Sequence, residues 1–127
     1  MNVLLDTHVF LWWDQQEPAL GAAARGTIEA PDNNVFVSAA SVWEIAIKRR
    51  PGKLIFHGLA ARAIGANGFH ALPILPEDAE AAGGLDWQHN DPFDRLLVAQ
   101  AMRLGFVLVT ADRSIRAFGN VAQIWAG

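Results

Sequence analysis

Short apolar runs ending in polar stops alternate along this chain with longer stretches of helical spacing. NVLLD (2–6) and VFVS (35–38) predict buried strands, as does the β-branched run FVLVT (106–110). HALPIL (70–75) predicts a short strand or extended segment, and VAQIW (121–125) a possible edge strand. Between them, THVFLWWDQ (7–15), the Ala-rich 19–30, residues 40–50 and residues 58–67 predict helices. PDNN (31–34), Pro51-Gly52 and Asn67-Gly68 supply the breaks. PEDAEAAGG (76–84) is punctuated as a short helix, with Pro and acids at its start and Gly-Gly at its end. Residues 91–105 form the best-marked helix, with Asp91 as N-cap, Pro92 at the first helical position and Gly105 as the stop. RSIRAF (113–118) makes a last helical turn.

Strands that alternate with helices make a parallel sheet covered on both faces. The expected class is α/β, a three-layer α/β/α sandwich around a short, mainly parallel sheet, and 127 residues suit one domain spanning 1–127. Apolar residues make up 52% of the chain, too many for a disordered segment. The longest apolar runs are interrupted by Asp6, His8 or Asp14, so no membrane span is expected. The start of the chain lacks the basic region and cleavage site of a signal peptide, and cytoplasmic residence is expected. Absence of Cys excludes disulfides, zinc thiolate sites and thiol nucleophiles. A net charge of −3 and a pI near 5.7 argue against holding nucleic acid by overall charge.

The acids that stand alone in apolar sequence carry the chemistry. Asp6 closes the first strand, Glu44 lies in the helix after VFVS, Asp94 in the first turn of the 91–105 helix, and Asp112 just past FVLVT. In parallel sheets, sites form beyond the carboxyl ends of the strands, where these four could converge. Each also has a purely local reading. Asp6 and Asp112 could cap helices, Asp94 could favour the helix dipole behind Asp91, and Glu44 could form a capping box with Ser41 or pair with Lys48. Capping alone leaves the apolar surroundings of Asp6 and Glu44 unexplained. Clustered carboxylates repel unless a cation neutralises them, and the hard, oxygen-seeking Mg²⁺ suits such a set. That constellation fits metal-assisted phosphodiester hydrolysis.

LLDTHVFLWW, SAASVWEIAIK with the following GKL, HNDPFDRLLVAQA and LVTADRSI occur in order across nearly the whole chain. Together they resemble the PIN-domain ribonucleases, specifically the VapC-type toxins of prokaryotic toxin–antitoxin pairs. The resemblance implies a small α/β domain with Mg²⁺- or Mn²⁺-dependent endonuclease activity on RNA, a cognate antitoxin and a homodimer. Its acidic positions map to Asp6, Glu44, Asp94 and Asp112, with Asp91 left as the helix cap, and Thr110 matches the hydroxyl residue of the T-x-D segment.

Asp6, Asp94 and Asp112 are the expected metal ligands; Glu44 either ligates or holds water as a base. Lys48, Arg49, Arg50 and Lys53 could contact RNA phosphates or simply form a solvated helix end. Arg95 and Arg113, each next to a site acid, could orient it, meet RNA or make surface ion pairs. His8, His57, His70 and His89 show no ligand spacing and read as structural, with His8, two residues after Asp6, set apart as the candidate exception. The five Trp residues read as core or interface, with Trp12 or Trp13 at a partner surface. Rival readings are a haloacid-dehalogenase-type phosphatase, which needs a second Asp where His8 stands, and a receiver-like domain, which needs an early acid pair. A DNA-cleaving nuclease of related fold and a catalytically silent partner-binding module complete the alternatives.

Overall fold

The computed structural model describes residues 1–127. Five strands, β1 (Asn2–Leu5), β2 (Asn34–Ser38), β3 (His70–Leu72), β4 (Val107–Thr110) and β5 (Gln123–Trp125), form one all-parallel sheet in the order β3-β2-β1-β4-β5. Seven helices surround it: α1 (Thr7–Asp14), α2 (Ala22–Glu29), α3 (Ala39–Arg49), α4 (Ala60–Ala66), α5 (Pro76–Gly84), α6 (Pro92–Leu104) and α7 (Arg113–Phe118). The expected α/β class and strand positions are borne out, and "mainly parallel" becomes wholly parallel. The chain runs from β1 outward to β2 and β3, then returns to the other side of β1 for β4 and β5. This reversal lies between β1 and β4, where a doubly wound sheet opens a crevice beyond its strand ends.

The pleat explains why the central strands read as unbroken apolar runs. Val3 and Leu5 pack with Val35, Val37 and Val109 against Val9, Phe10, Leu11, Ala24, Ile28, Ile45 and Ile64, which belong to α1 to α4. Leu4 and Leu108 point to the opposite face and meet Leu97, Val98 and Ala101 of α6 and Ile115 of α7. A strand covered on both sides has no polar face to show. No helix is long and apolar enough to cross a membrane.

Element boundaries moved where close packing intervened. The 19–30 helix shrinks to α2, because the Gly21 N–H donates to the Ala126 carbonyl at 2.7 Å. A Cβ on Gly21 would lie 2.8 Å from the Gly127 carbonyl oxygen, so only glycine allows that approach. Helix α3 begins before the expected Ser41–Glu44 capping box, and the box does not form. Ser38 is the cap instead, its hydroxyl accepting from the Ala40 N–H at 3.0 Å. Ser41 lies inside the first turn, where its hydroxyl accepts from Thr7 Oγ1 at 3.0 Å.

Ser38 also ties the two helical layers together. Its hydroxyl donates to Gln100 Oε1 of α6 at 2.6 Å, and Gln100 Nε2 donates to the Pro73 carbonyl at 3.1 Å. Both side chains are fully buried. Asp78 of α5, equally buried, accepts two bonds from the Arg103 guanidinium of α6 and one from the Leu75 N–H. These links fix α5 and α6 relative to the β2–α3 junction, and hence set Asp94 against Glu44. Ser38→Ala would remove a helix cap and orphan a buried acceptor, so urea denaturation should show a loss of about 2–3 kcal/mol. A loss below about 0.5 kcal/mol, the size of an ordinary surface change, would contradict this role.

Candidate active site

Asp6 follows β1 directly and is 2% exposed. Its Oδ1 caps α1 by accepting from the Val9 N–H at 2.8 Å, and its Oδ2 accepts from Thr110 Oγ1 at 2.5 Å and the Ala111 N–H at 3.0 Å. Burial raises its pKa above the ordinary carboxylate value, and these three donors work against that rise. A carboxylate offers about four lone-pair sites, so the protein occupies all but one. Thr110 is central here. Its hydroxyl accepts from the Asp112 N–H at 3.0 Å while donating its single proton to Asp6, joining the exits of β1 and β4.

Asp112 caps α7 through Oδ1, which accepts from the Ile115 N–H at 3.0 Å; its Oδ2 bonds to no protein group. Asp94 stands in the first turn of α6, behind Asp91, whose Oδ1 accepts from the Phe93 and Asp94 N–H groups at 2.9 and 3.0 Å. Asp94 Oδ2 meets His89 Nε2 at 2.7 Å, and its Oδ1 is free of protein bonds. Ligand atoms from His89, Asp94 and Asp112 all lie within 4.8 Å of one another. No buried side-chain polar atom lacks a partner, so the free oxygens of Asp94 and Asp112 are reached by solvent. Burial first, then the charges of Asp91 and Asp112, push the Asp94 pKa up to about 6, against the opposing pull of His89.

Glu44 lies on the neighbouring wall, 5% exposed on α3. Its Oε2 accepts from Lys48 Nζ at 2.8 Å. That bond raises the Lys48 pKa, with smaller contributions from Asp91 and Asp94, so the ammonium also faces the α6 acids. Trp43 leans edge-on against Phe93, with centroids 5.0 Å apart at 75°, and brackets the junction of α3 and α6. Of the four acids anticipated in the sequence, the structure groups Asp94 with Asp112. Asp6 is linked to Asp112 through the Thr110 hydroxyl, and Glu44 stays outside this group, paired with Lys48 on α3.

The basic candidates divide. Arg50, Lys53 and Arg113 are exposed and make no side-chain bond within the chain, while Arg49 donates to the Gly58 carbonyl. Lys48 is committed to Glu44 rather than displayed on a helix end. Arg95 is corrected outright as a residue facing RNA. All five of its donors are spent on backbone carbonyls of Ala82, Gly83, Leu85, Trp87 and His89. Among the histidines, His89 and not His8 touches a site acid; His8 is exposed. The position of His89, five residues before Asp94, breaks helical spacing, so no periodicity signalled it. Trp12 and Trp13 are half-buried against the core, and Trp43 is the exposed tryptophan, at 52%.

A family model described as the PIN domain matches residues 3–121. The chain belongs to the PIN-domain family. Ribonuclease VapC22 of Mycobacterium tuberculosis is 35% identical over 91% of both chains. Among solved structures, a toxin–antitoxin complex from Klebsiella pneumoniae aligns at a TM-score of 0.67, with 18% identity and coverage of 97% and 96%. VapC20 of Mycobacterium tuberculosis, a sarcin–ricin-loop-cleaving toxin, aligns at 0.57, with 18% identity and coverage of 92% and 95%. The anticipated resemblance to PIN-domain ribonucleases of VapC type is thus borne out in family and fold.

The donor set suits a hard divalent cation: buried, mutually repelling carboxylates, two with an oxygen unclaimed, and no thiolate. A proton-linked prediction follows from Asp94. Between its ordinary 3.8 and about 6, the folded chain holds a proton that the unfolded chain has released. Its contribution to stability is complete at low pH and is lost as pH rises through that window. Asn carries no such proton, so the melting temperature of Asp94→Asn should gain on wild type between pH 4 and 7 in chelator. Mn²⁺ should raise the melting temperature of wild type and leave the variant nearly unmoved. A constant gap between the two proteins across that pH range would refute the assignment.

Proposed function

We propose that residues 1–127 act as one nuclease unit, a divalent-metal-dependent endoribonuclease and the toxin of a toxin–antitoxin pair that inhibits translation and growth. The observation that carries this reading is the pairing of Asp94 and Asp112 at the β1–β4 reversal, each presenting an unclaimed oxygen. Family membership and the 35% identity to a named ribonuclease support RNA as the substrate. Mg²⁺, or Mn²⁺ in its place, is the proposed ion, held by Asp94 and Asp112 with Asp6 and Glu44 at the rim. When bound, it supplies Lewis-acid polarisation of the phosphate and lowers the pKa of a water.

The chain's own groups then have separable tasks. Asp6 and Thr110 keep the β1 and β4 exits locked so that Asp112 sits at a fixed distance from Asp94. Glu44 is the proposed proton acceptor, and its bond from Lys48 Nζ fixes the carboxylate in place. Arg50, Lys53 and Arg113 are the remaining candidates to meet flanking phosphates, which lets a chain of net negative charge hold RNA locally. A cognate antitoxin is the proposed partner, as in the Klebsiella complex of the same fold, together with homodimerisation and a cytoplasmic site of action beside the RNA.

The test is incubation of structured RNA, DNA of matching sequence and a phosphomonoester, each with Mg²⁺, with Mn²⁺ and with chelator. RNA alone should be cut, and chelator should stop it. Asp94→Asn should reduce cleavage by at least about 100-fold with an unchanged circular dichroism spectrum, the size expected when a transition-state electrostatic group is lost. Undiminished cutting by the folded variant, or preferential cleavage of DNA or the phosphomonoester, would sink the reading.

A further inference from the structure

His89 lies in the irregular stretch between α5 and α6, yet it is among the most constrained side chains at the crevice. Arg95 is the reason. From the first turns of α6 its guanidinium donates to the carbonyls of Ala82, Leu85, Trp87 and His89 at 2.7–2.9 Å, and to Gly83 at 3.4 Å. One planar group thereby closes the C-terminal end of α5 and fixes the whole stretch leading into α6. Trp87 adds a second restraint, resting between the His89 imidazole and the Phe118 ring with both centroid distances 4.8 Å. The imidazole so held aims Nε2 at Asp94 Oδ2, 2.7 Å away.

At that separation one proton lies between the two groups, and an ionised Asp94 can only accept it. His89 then claims Oδ2 and leaves Oδ1 as the oxygen Asp94 presents to the crevice. Carboxylates that hold cations are commonly oriented in this way by a hydrogen bond from behind. The seven residues His89 to Arg95 contain the complete device: the orienting imidazole, the cap Asp91, the acid Asp94 and the arginine that locks the backbone carrying the imidazole. We propose that His89, held in place by Arg95, is a positioning residue that sets Asp94 with Oδ1 toward the divalent cation, and that His89 is not itself a ligand. Its Nε2 is spent on Asp94, and this assignment rests on reading the acidic crevice as a cation-holding centre.

The experiment measures Mn²⁺ binding by calorimetry, and the electron spin-echo modulation of bound Mn²⁺, for wild type, His89→Ala, His89→Gln and Arg95→Lys, each checked for folding by circular dichroism. His89→Ala should weaken Mn²⁺ binding by about 10-fold or more, the usual cost of losing a group that orients a ligand. His89→Gln, which keeps an N–H donor, should recover most of the affinity. Arg95→Lys should weaken binding although Arg95 touches neither ion nor RNA. Wild type should show no modulation from a directly coordinated imidazole nitrogen. Unchanged affinity in folded His89→Ala, or a coordinated-nitrogen signal in wild type, would overturn the positioning role and leave the nuclease reading standing. Failure of wild type to bind Mn²⁺ at all would overturn both.

Discussion

A carboxylate buried at the end of the central strand must be satisfied, and the way Asp6 is satisfied organises the rest of the molecule. Stripping an ionised carboxylate of water without compensation is prohibitive, so the chain has to bring donors to it. One comes from the first turn of α1, where Val9 follows almost at once. The other two, the Thr110 hydroxyl and the Ala111 N–H, come from more than a hundred residues away in sequence. They can reach Asp6 only if β4 lies directly beside β1. That pairing obliges the chain to cross back over the sheet after β3, and the crossing opens the crevice. The same contact that stabilises Asp6 therefore also creates the place where Asp94 and Asp112 meet.

Capping and function do not compete at these acids, because a carboxylate has two oxygens. Asp112 gives Oδ1 to the N-terminus of α7 and turns Oδ2 outward; Asp91 takes over the capping of α6, which releases Asp94. Each helix start fixes its acid at a defined angle to the sheet edge. A cap costs the site nothing, since the second oxygen is still free, and it removes the rotamer freedom that a binding group would otherwise lose on meeting its ligand. Asp6 shows the limit of this economy: with three bonds already accepted it is better suited to holding the frame than to holding an ion.

Most of the fold was legible because its strands are doubly covered and therefore read as pure apolar runs, and because Asp91-Pro92, Gly105 and Pro51-Gly52 punctuate the helices by local chemistry. The four acids were legible for a different reason: they interrupt apolar sequence without a local need that explains their surroundings. What could not be read was anything whose partner is remote. Ser38–Gln100, Asp78–Arg103 and Thr7–Ser41 join residues 25 to 62 positions apart, and no spacing rule announces them. The Ser41–Glu44 capping box failed because Ser38, three residues earlier, was an equally good cap at the true end of the strand. Arg95 misled by adjacency. Sitting next to Asp94 it suggested a phosphate or an ion pair, but consecutive helical residues point about 100° apart, and the arginine faces the α5 carbonyls instead.

The distribution of positive charge then follows from the crevice. Near the acids a cation is useful only if it does not occupy the place of the divalent ion. Lys48 meets that condition by binding Glu44 on the neighbouring wall, where its ammonium pairs with one carboxylate. A guanidinium placed directly between Asp94 and Asp112 would have quenched their repulsion outright. It would also have removed the electrostatic reason for binding a metal at all. Arg95 is kept from doing so by the five carbonyls that saturate it, and Arg113 by exposure at the start of α7. The repulsion between Asp94 and Asp112 is thus only partly offset by the protein, through His89 at Asp94. A site that is to draw a divalent cation from water, against the cost of partly dehydrating that ion, has to retain this unspent field.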